Sequence, residues 1–199
     1  MLQTKGLVLK ASPFQDSGKI LQVLTKDFGI ISILIKSIPE KRLDLIQTST
    51  PLYEGLFYLK KGSMDLYKLI ETSPLNYHHE LKENFSLLKS AVEILQLIAK
   101  TQPKNKPLPL LYELTSIYLN ELRHCLNLKN LLSSFYLKFL RHEGLFNLDY
   151  FSEKTLVDRE KLTLMSYALK FEAIYGIELS ETEFSSIYEE FYGIMKSTV

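Results

Sequence analysis

Histidine and cysteine side chains are the first candidates for chemistry in this chain, and they occur in two adjacent pairs. His78 precedes His79, and His124 precedes Cys125. Neighbouring residues on a helix or a strand point in different directions, so neither pair closes around one metal ion. The ligand spacings Cys-x2-Cys and His-x3-His do not occur in the sequence. The sequence therefore predicts no metal ion and no other cofactor.

The remaining catalytic signatures are also missing from the sequence. It contains no G-x-S-x-G nucleophile motif, no phosphate-binding loop of the G-x-x-x-x-G-K-[ST] type and no G-x-G-x-x-G dinucleotide motif. Paired carboxylates such as Glu189 and Glu190 are expected on solvent faces of helices. We predict that the chain is not an enzyme. One alternative stays open, a hydrolase assembled from scattered residues such as His124, His142 and Glu143, which would require a deep pocket.

Basic residues are unevenly distributed and point to a different kind of site. Residues 1–72 hold ten basic and seven acidic side chains, a net charge of +3, whereas the remainder carries −2. A basic half is typical of a module that binds a polyanion such as nucleic acid. The cations expected at strand ends and turns are the candidate DNA-binding residues: Lys19, Lys26, Lys36, Lys41, Arg42, Lys60 and Lys61. Arg42 is the first choice because a planar guanidinium matches phosphate geometry.

Aromatic side chains in the same half are candidates for stacking on bases. Phe14, Phe28, Tyr53 and Tyr58 lie in or beside the predicted strands. Stacking on an aromatic ring is worth about 1–3 kcal/mol per base and is indifferent to sequence. The alternative for each ring is a place in the core of a small barrel.

The elements that must position these residues are short strands. Apolar runs with a two-residue period lie between Leu7 and Ile70, separated by turn residues at 16–18, 26–29 and 60–63. Ile31, Ile33 and Ile35 share one face of the third strand. The fourth strand begins at Pro51 and the fifth at Met64. Short connections predict five antiparallel strands, which fits a five-stranded OB-fold barrel.

Beyond Ser73-Pro74 the apolar period becomes that of helices. Five helices are predicted, and a capping box of Ser180 and Glu183 opens the last one. The fourth helix is expected to span 159–175. The fold class is therefore α+β, with an N-terminal OB-fold over 1–73 that binds nucleic acid and an all-helical domain over 74–199 that binds protein partners.

Three features indicate a cytoplasmic protein. The apolar runs are far shorter than the roughly 20 residues that span a bilayer. Lys5 and Lys10 interrupt the first apolar residues, unlike the apolar region of a signal peptide. A single cysteine, Cys125, excludes an internal disulfide and fits a reducing compartment.

The order of the N-terminal motifs resembles the opening of the RecO family of bacterial recombination mediators. GLVL stands at 6–9, Gln15-Asp16 precedes Gly18-Lys19-Ile20, and Leu24-Thr25 and Gly29 follow. QTSTPLYEGLFYLKKGSMDLYKLIET at 47–72 is similar to the next two strands of that family, and FYLKFLRHEGLF at 135–146 is similar to one of its helices.

The resemblance implies an OB-fold followed by a helical domain, and it implies a role in DNA repair. Members of the family bind single- and double-stranded DNA and anneal complementary strands. They work with RecR and with single-stranded-DNA-binding protein to load RecA, so RecA is an indirect partner. The other possibility is a non-catalytic protein-interaction adaptor without DNA binding.

This chain departs from the family in two places. Many relatives carry a four-cysteine zinc module after the position of Gly144, where this chain reads LFNLDYFSEKTLVD without cysteine. We predict that helical packing through apolar side chains replaces the zinc: Leu148, Phe151, Leu156, Leu162 and Leu169. The basic segment after the third strand is also shorter than in many relatives, with only Lys36, Lys41 and Arg42.

The helical half holds the predicted partner site. The resemblance implies contact with the acidic, Phe-ended tail of single-stranded-DNA-binding protein, and such a tail requires an apolar pocket beside fixed cations. The helix that begins near Leu131 offers Lys138 and Arg141 beside Phe135 and Phe139. We therefore predict partner binding by these four residues.

Overall fold

The computed structural model describes residues 1–62 and 65–198. The chain divides into two compact units, residues 1–123 and residues 124–199. The first unit contains the barrel and the first four helices, and the second contains the remaining five helices of the described residues. The α+β class with an N-terminal barrel followed by helices is confirmed.

Five strands close into a barrel in the order β1-β2-β3-β5-β4. Their bounds are β1 Leu2–Phe14, β2 Gly18–Thr25, β3 Gly29–Ile35, β4 Glu54–Lys61 and β5 Leu66–Asn76. β4 begins three residues after the predicted Pro51, and β5 ends beyond the predicted boundary at 73. The predicted start of the fifth strand at Met64, and Ser63 in the preceding turn, lie outside the described residues.

One strand pairing differs from the prediction of a wholly antiparallel barrel. β1 pairs antiparallel with both β2 and β4, and β4 pairs antiparallel with β5. β3 and β5, in contrast, run in the same direction, and they pair in parallel from Ser32↔Leu66 to Leu34↔Lys68. The expectation was wrong at this pair because closure of the barrel, rather than a short connection, brings β3 and β5 together.

Gly29 makes the tight connection between β2 and β3 possible. It pairs with Thr25 and has φ +67°, which a residue with a side chain rarely adopts. A Cβ at this position would lie 1.7 Å from the carbonyl oxygen of Lys106. The turn expected from Lys26 to Gly29 is confirmed, and the second reason for its glycine is the close approach of the chain near Lys106.

The barrel core consists of the apolar side chains that alternate along the strands. The predicted inward face of β3 is confirmed, and Phe57 and Leu59 of β4 are fully buried with it. The core cluster comprises Val8, Leu21, Val23, Ile31, Ile33, Ile35, Tyr53, Phe57 and Leu59. Burying each such aliphatic side chain contributes about 1.5–3 kcal/mol.

Four helices complete the first unit. They are α1 Leu43–Thr48, α2 His79–Glu83, α3 Phe85–Thr101 and α4 Pro109–Leu122. The i, i+3, i+4 spacing of apolar residues in the sequence predicts a buried stripe of Phe85, Leu88, Val92, Leu95 and Ala99. Phe85 is instead 81% exposed, and the buried side of α3 is formed around Ala91, Ile94 and Ile98. The small side chains of Ser90 and Ala91 are also buried, so the buried face of α3 lies on a different side of the helix from Phe85.

The second unit is built around α5. Its helices are α5 Leu128–His142, α6 Leu148–Lys154, α7 Arg159–Tyr167, α8 Phe171–Tyr175 and α9 Glu181–Thr198. α5 packs against α7, α8 and α9. The single helix predicted over 159–175 is in fact α7 and α8, because the chain leaves helical geometry at Ala168 and the carbonyls of Ser166 and Ala168 accept from α5.

The capping box at the start of α9 is confirmed. Ser180 Oγ accepts from the Glu183 backbone N–H at 3.2 Å, and the Glu183 carboxylate accepts from the Ser180 N–H at 2.8 Å. A hydrogen bond from Lys161, together with the one from Ser180, lowers the pKa of Glu183 to about 2. The box therefore satisfies two free donors at the helix start.

We expect Ser180→Ala to lower the free energy of unfolding by about 1 kcal/mol, because one helix-start N–H loses its acceptor. Urea denaturation followed by circular dichroism measures the change. Ser185→Ala, on the exposed side of the same helix, is the matched control. Equal effects of the two substitutions would show that the cap contributes nothing.

Candidate nucleic-acid interface

Three of the seven predicted DNA-binding residues are engaged within the protein. Lys19 Nζ donates to Ser49 Oγ at 3.0 Å, and Lys26 Nζ pairs with Glu113 at 2.8 Å. Arg42 donates through Nε and Nη2 to both carboxylate oxygens of Asp44, at 2.9 and 2.7 Å.

The hydrogen bonds that Arg42 donates to Asp44 lower the pKa of the Asp44 carboxyl to about 2, and the same bonds raise the pKa of Arg42. Arg42 thus directs its two donors to a neighbouring carboxylate, in an ion pair that is exposed to solvent. A phosphate would have to displace that carboxylate.

The other four predicted residues are exposed and free. Lys36, Lys41, Lys60 and Lys61 form no ion pair within residues 1–62 and 65–198. Lys36 directly follows β3, and Lys60 and Lys61 end β4. These are the cations that an added polyanion meets without breaking an internal contact.

Lys68 on β5 is a further exposed cation, and it is not among the seven predicted DNA-binding residues. It pairs in register with Lys60 of β4 on one side and with Leu34 of β3 on the other. Like charges directly opposite one another on a sheet destabilise the pairing unless a counter-charge lies between them. The alternation of Tyr67, Lys68 and Leu69 in the sequence marks Lys68 as outward-facing, but only barrel closure places it beside Lys60.

A concavity of about 410 Å³ lies next to this lysine pair. Its lining includes Lys36, Arg42 and Lys68, together with apolar side chains at the ends of β3 and β5 such as Leu69 and Ile70. Ile70 is 53% exposed. We call Lys36, Lys60, Lys61 and Lys68 the lysine surface. Its four side chains are exposed, as contacts with phosphates require, and the apolar rim suits bases.

The aromatic candidates are divided between the core and the surface. Tyr53 is 1% exposed, packs edge-to-face on Phe57 and bonds Thr72 through its hydroxyl at 2.9 Å, so it is a core residue. Phe28 is half-buried, packs against the barrel core and stacks on Tyr67 at 6.3 Å. Phe14 and Tyr58 are also half-buried and keep part of their rings accessible.

A buried polar cluster in the first unit escaped the sequence analysis. Glu54, at the start of β4, is 4% exposed although a strand pattern assigns it to the outer face. Its Oε1 accepts from Tyr112 Oη at 2.6 Å and from Ser116 Oγ at 2.7 Å. Its Oε2 lies 3.5 Å from Nε2 of the fully buried His78. The cluster therefore joins β4, the segment before α2, and α4.

Two opposed effects act on the Glu54 carboxyl. Burial raises its pKa, but the contacts with His78, Tyr112 and Ser116 outweigh burial and hold the pKa of Glu54 below its ordinary value. Burial and the neighbouring Glu54 charge raise the pKa of Tyr112. Glu54 is therefore an anion and Tyr112 a hydroxyl donor across the neutral pH range. The cluster fastens α4 to the barrel.

The structure corrects the predicted partner site on α5. Phe135 and Phe139 are fully buried and pack on one another in the core, and Phe139 also packs on Phe191, so they cannot form the walls of a surface pocket. Lys138 Nζ donates to the Ala168 carbonyl at 2.6 Å. Arg141 donates to the Ser166 carbonyl and lies over the Tyr167 ring at 3.9 Å. Both cations thus hold the end of α7, and burial lowers the pKa of Lys138 to about 8.

Apolar packing around the position of the missing zinc module is only partly as predicted. Phe151 and Leu162 are fully buried, whereas Leu156 is 71% and Leu169 is 97% exposed. Within the described residues no group of three histidine, cysteine or acidic side chains is placed to hold a metal ion. Independence of zinc stays a prediction.

His142 bonds the adjacent Glu143 at 2.8 Å. No hydrogen bond of the described residues connects His124 with this pair.

No helix among residues 1–62 and 65–198 has the length and apolar character needed to cross a membrane.

The closed barrel with a parallel β3–β5 pair is an OB-fold, and it belongs to the class of small barrels that bind oligonucleotides and oligosaccharides on an exposed sheet face. Residues 1–78 match the family model described as recombination protein O N terminal. Over these residues the chain is similar to the N-terminal part of the RecO family.

Curated relatives match beyond the barrel. The DNA repair protein RecO of Caldicellulosiruptor bescii is 34% identical over 98 residues, which cover 49% of this chain and 40% of the relative. That of Chlamydia trachomatis serovar L2 is 27% identical over 162 residues, or 81% of this chain and 66% of the relative. That of Listeria monocytogenes serotype 4b is 23% identical over 146 residues, or 73% and 57%. The matched part of this chain thus spans between 40% and 66% of the lengths of these three relatives.

Proposed function

We propose that this chain is a DNA repair and recombination mediator that binds single-stranded DNA through its barrel. It promotes annealing of complementary strands and helps to load the recombinase onto DNA covered by single-stranded-DNA-binding protein. It acts without catalysing a reaction, in the cytoplasm. The observation that carries the proposal is the lysine surface, where Lys60 and Lys68 oppose each other on an OB-fold sheet.

A phosphate backbone relieves the repulsion between these two lysines. Neither residue has an acidic partner among the described residues, so a bound phosphate replaces counterions rather than breaking an ion pair. Displaced counterions make such binding strongly dependent on salt. Both forms of DNA present a phosphate backbone, so double-stranded DNA is bound through its backbone in the same manner.

We expect affinity for single-stranded DNA to fall with salt and to be indifferent to sequence. The logarithm of the association constant should decrease with the logarithm of salt concentration at a slope of about −0.7 per phosphate contacted. Fluorescence anisotropy with labelled oligonucleotides of two base compositions, at several salt concentrations, measures both properties. Affinity that does not change between low and moderate salt would refute electrostatic binding.

The competing proposal is a protein-interaction adaptor that does not bind DNA. The ion pairs of Lys26 and Arg42 favour it, since they neutralise two exposed cations. The same titration separates the two functions, because an adaptor shows no binding to the oligonucleotides at the lowest salt.

RecR and single-stranded-DNA-binding protein are the proposed protein partners, and RecA is reached through them. The proposed contacts for an acidic tail are Lys138 and Arg141 of α5, which bond the end of α7. The buried Phe135 and Phe139 form no pocket beside them. A tail carboxylate there must compete with the carbonyls of Ser166 and Ala168.

Anisotropy with a labelled tail peptide tests this partner site. We expect Arg141→Ala to weaken binding about tenfold, as loss of one charge-assisted contact. Lys154→Ala, an exposed cation on α6, is the control. Equal affinity of wild type and Arg141→Ala would remove this site, and no binding by wild type would remove the partnership.

A further inference from the structure

A groove of about 530 Å³ lies between the β1–β2 ribbon and α3, away from the lysine surface. The strand wall is formed by Leu9, Lys10 and Ala11. The helix wall is mainly apolar and includes Val92, Leu95 and Ala99. No acidic side chain lines the groove, and it lies wholly within the first unit.

The strand wall of the groove includes a free backbone edge. Pairing of β1 with β4 ends at Leu7, and Val8 then bonds the backbone of Leu52 and Tyr53. From Lys10 to Phe14, β1 pairs only with β2 among the described strands. Its second edge therefore has backbone donors and acceptors with no strand partner, and it ends at Pro13, which cannot donate.

The groove reaches both sides of β1: Gln22 is paired with Lys10 on β2, and Pro51 precedes Leu52, which bonds Val8 on the side of the free edge. Side chains of a strand alternate between the two faces, yet three consecutive residues line the groove. A register shift between Val8 and Lys10 marks a bulge at Leu9, which turns the strand locally. The backbone from Leu9 onward is thus part of the wall.

The polar groups around the groove define the chemistry of an occupant. Lys10 and Lys100 line it and form no ion pair within the described residues. Gln22 and Gln96 add side-chain amides, which can bond a peptide backbone. Two cations over an apolar floor favour acidic groups on either side of an apolar side chain.

We propose that this groove binds an extended peptide segment that adds to the free edge of β1. The peptide backbone pairs with residues 9–12, a length of ~13 Å at the rise of a strand. One apolar side chain lies on the floor formed by Val92, Leu95 and Ala99, and flanking carboxylates pair with Lys10 and Lys100. Peptides inserted between a strand edge and a helix are an established mode of recognition, in which the backbone contributes affinity and the floor contributes specificity.

The experiment uses the full chain and a fluorescently labelled peptide of sequence Ser-Asp-Ser-Leu-Ser-Asp, in which both aspartates share one face of the extended chain with the leucine. Two matched peptides carry lysine in place of aspartate, or N-methyl groups on alternate backbone nitrogens. We expect the acidic peptide to bind, and the lysine and N-methyl peptides to bind at least about tenfold more weakly, because the first loses both ion pairs and the second loses the strand pairing.

Protein variants locate the binding in the groove. The double substitution Lys10→Glu with Lys100→Glu should weaken binding at least about tenfold, and Ala99→Trp should block the floor. Lys89→Glu, on the exposed side of α3, should change the affinity less than about twofold. Thermal melting establishes that each variant is folded, and any variant that is not folded is replaced by Lys100→Gln or Ala99→Leu.

Three outcomes would overturn the proposal. Absence of wild-type binding up to about 1 mM peptide would exclude an occupant of this chemistry. Equal affinity of the double variant and Lys89→Glu would place the peptide elsewhere. Loss of oligonucleotide binding, rather than peptide binding, in the double variant would assign the groove to nucleic acid. None of these outcomes bears on the salt titration that tests the proposed function.

Discussion

Replacing Glu54 by alanine is expected to lower the free energy of unfolding by about 3–5 kcal/mol, because it breaks a buried polar cluster by removing one member. The carboxylate is the acceptor for Tyr112 and Ser116 and is the anion beside His78. Without it, the buried Tyr112 hydroxyl and the half-buried Ser116 hydroxyl lose their acceptor, and the fully buried His78 loses the negative charge beside it. A buried group left unsatisfied costs free energy.

Urea denaturation of the full chain measures this loss. Tyr112→Phe removes only one hydrogen bond and should cost less, about 1–2 kcal/mol. Glu113→Ala, one residue further on α4, removes an exposed ion pair with Lys26 and should have a much smaller effect, because water screens that pair. Equal effects of the Glu54 and Glu113 substitutions on the free energy of unfolding would show that the buried cluster does not stabilise the fold.

The same cluster makes stability depend on pH in a defined direction. The pKa of Glu54 is lowered in the folded state, so its contribution is fully present above the unfolded-state pKa of about 4.3. That contribution is lost as the pH falls through the folded-state pKa. The difference in unfolding free energy between wild type and Glu54→Gln should therefore shrink below about pH 4.3. A difference that grows as the pH falls would contradict this assignment.

Replacing Lys68 by glutamate should weaken single-stranded DNA binding while leaving the barrel at least as stable. The substitution puts a carboxylate opposite Lys60, where opposite charges favour strand pairing. It also removes a phosphate contact and repels the backbone, so we expect affinity at low salt to fall about tenfold or more and the salt slope to shrink by about 0.7 per lost contact.

Separate readouts for stability and binding make this substitution informative. Thermal melting reports the barrel, and anisotropy with a labelled oligonucleotide reports binding. Lys170→Glu, an exposed cation in the second unit, changes the net charge by the same amount and is the control. If both substitutions weaken binding equally, the effect is one of total charge and the lysine surface is not the interface.

Local periodicity was sufficient to predict much of the fold. The alternation of Ile31, Ile33 and Ile35 predicts a strand with one buried face, and Gly29 predicts the turn before it, because both depend on neighbouring residues alone. The change to a helical period after residue 74 and the capping box at Ser180 are local in the same sense. The strand face, the turn and the capping box were found where they were expected, whereas the helices begin later than residue 74 because β5 continues to Asn76.

The helical faces were predicted less well. An apolar residue marks a possible buried face, but the neighbour that covers it is chosen by tertiary packing. Phe85 and Leu169 are exposed because no element of the described chain covers them, whereas Phe135 and Phe139 are buried at the centre of a helix cluster. The interruption between α7 and α8 depends likewise on Lys138 and Arg141, which reach it from α5, 25 to 30 residues away in sequence.

The sequence by itself determined the class of elements, their order and the basic character of the N-terminal half. Only the tertiary structure decided which charges are available to a ligand. Closure of the barrel aligns Lys68 with Lys60 and leaves both free, while Lys26 and Arg42 meet carboxylates and Glu54 is buried under α4. The physical reason is that a charge is neutralised by whichever partner lies within a few ångströms, and barrel closure and helix packing set those distances between residues that are remote in the chain.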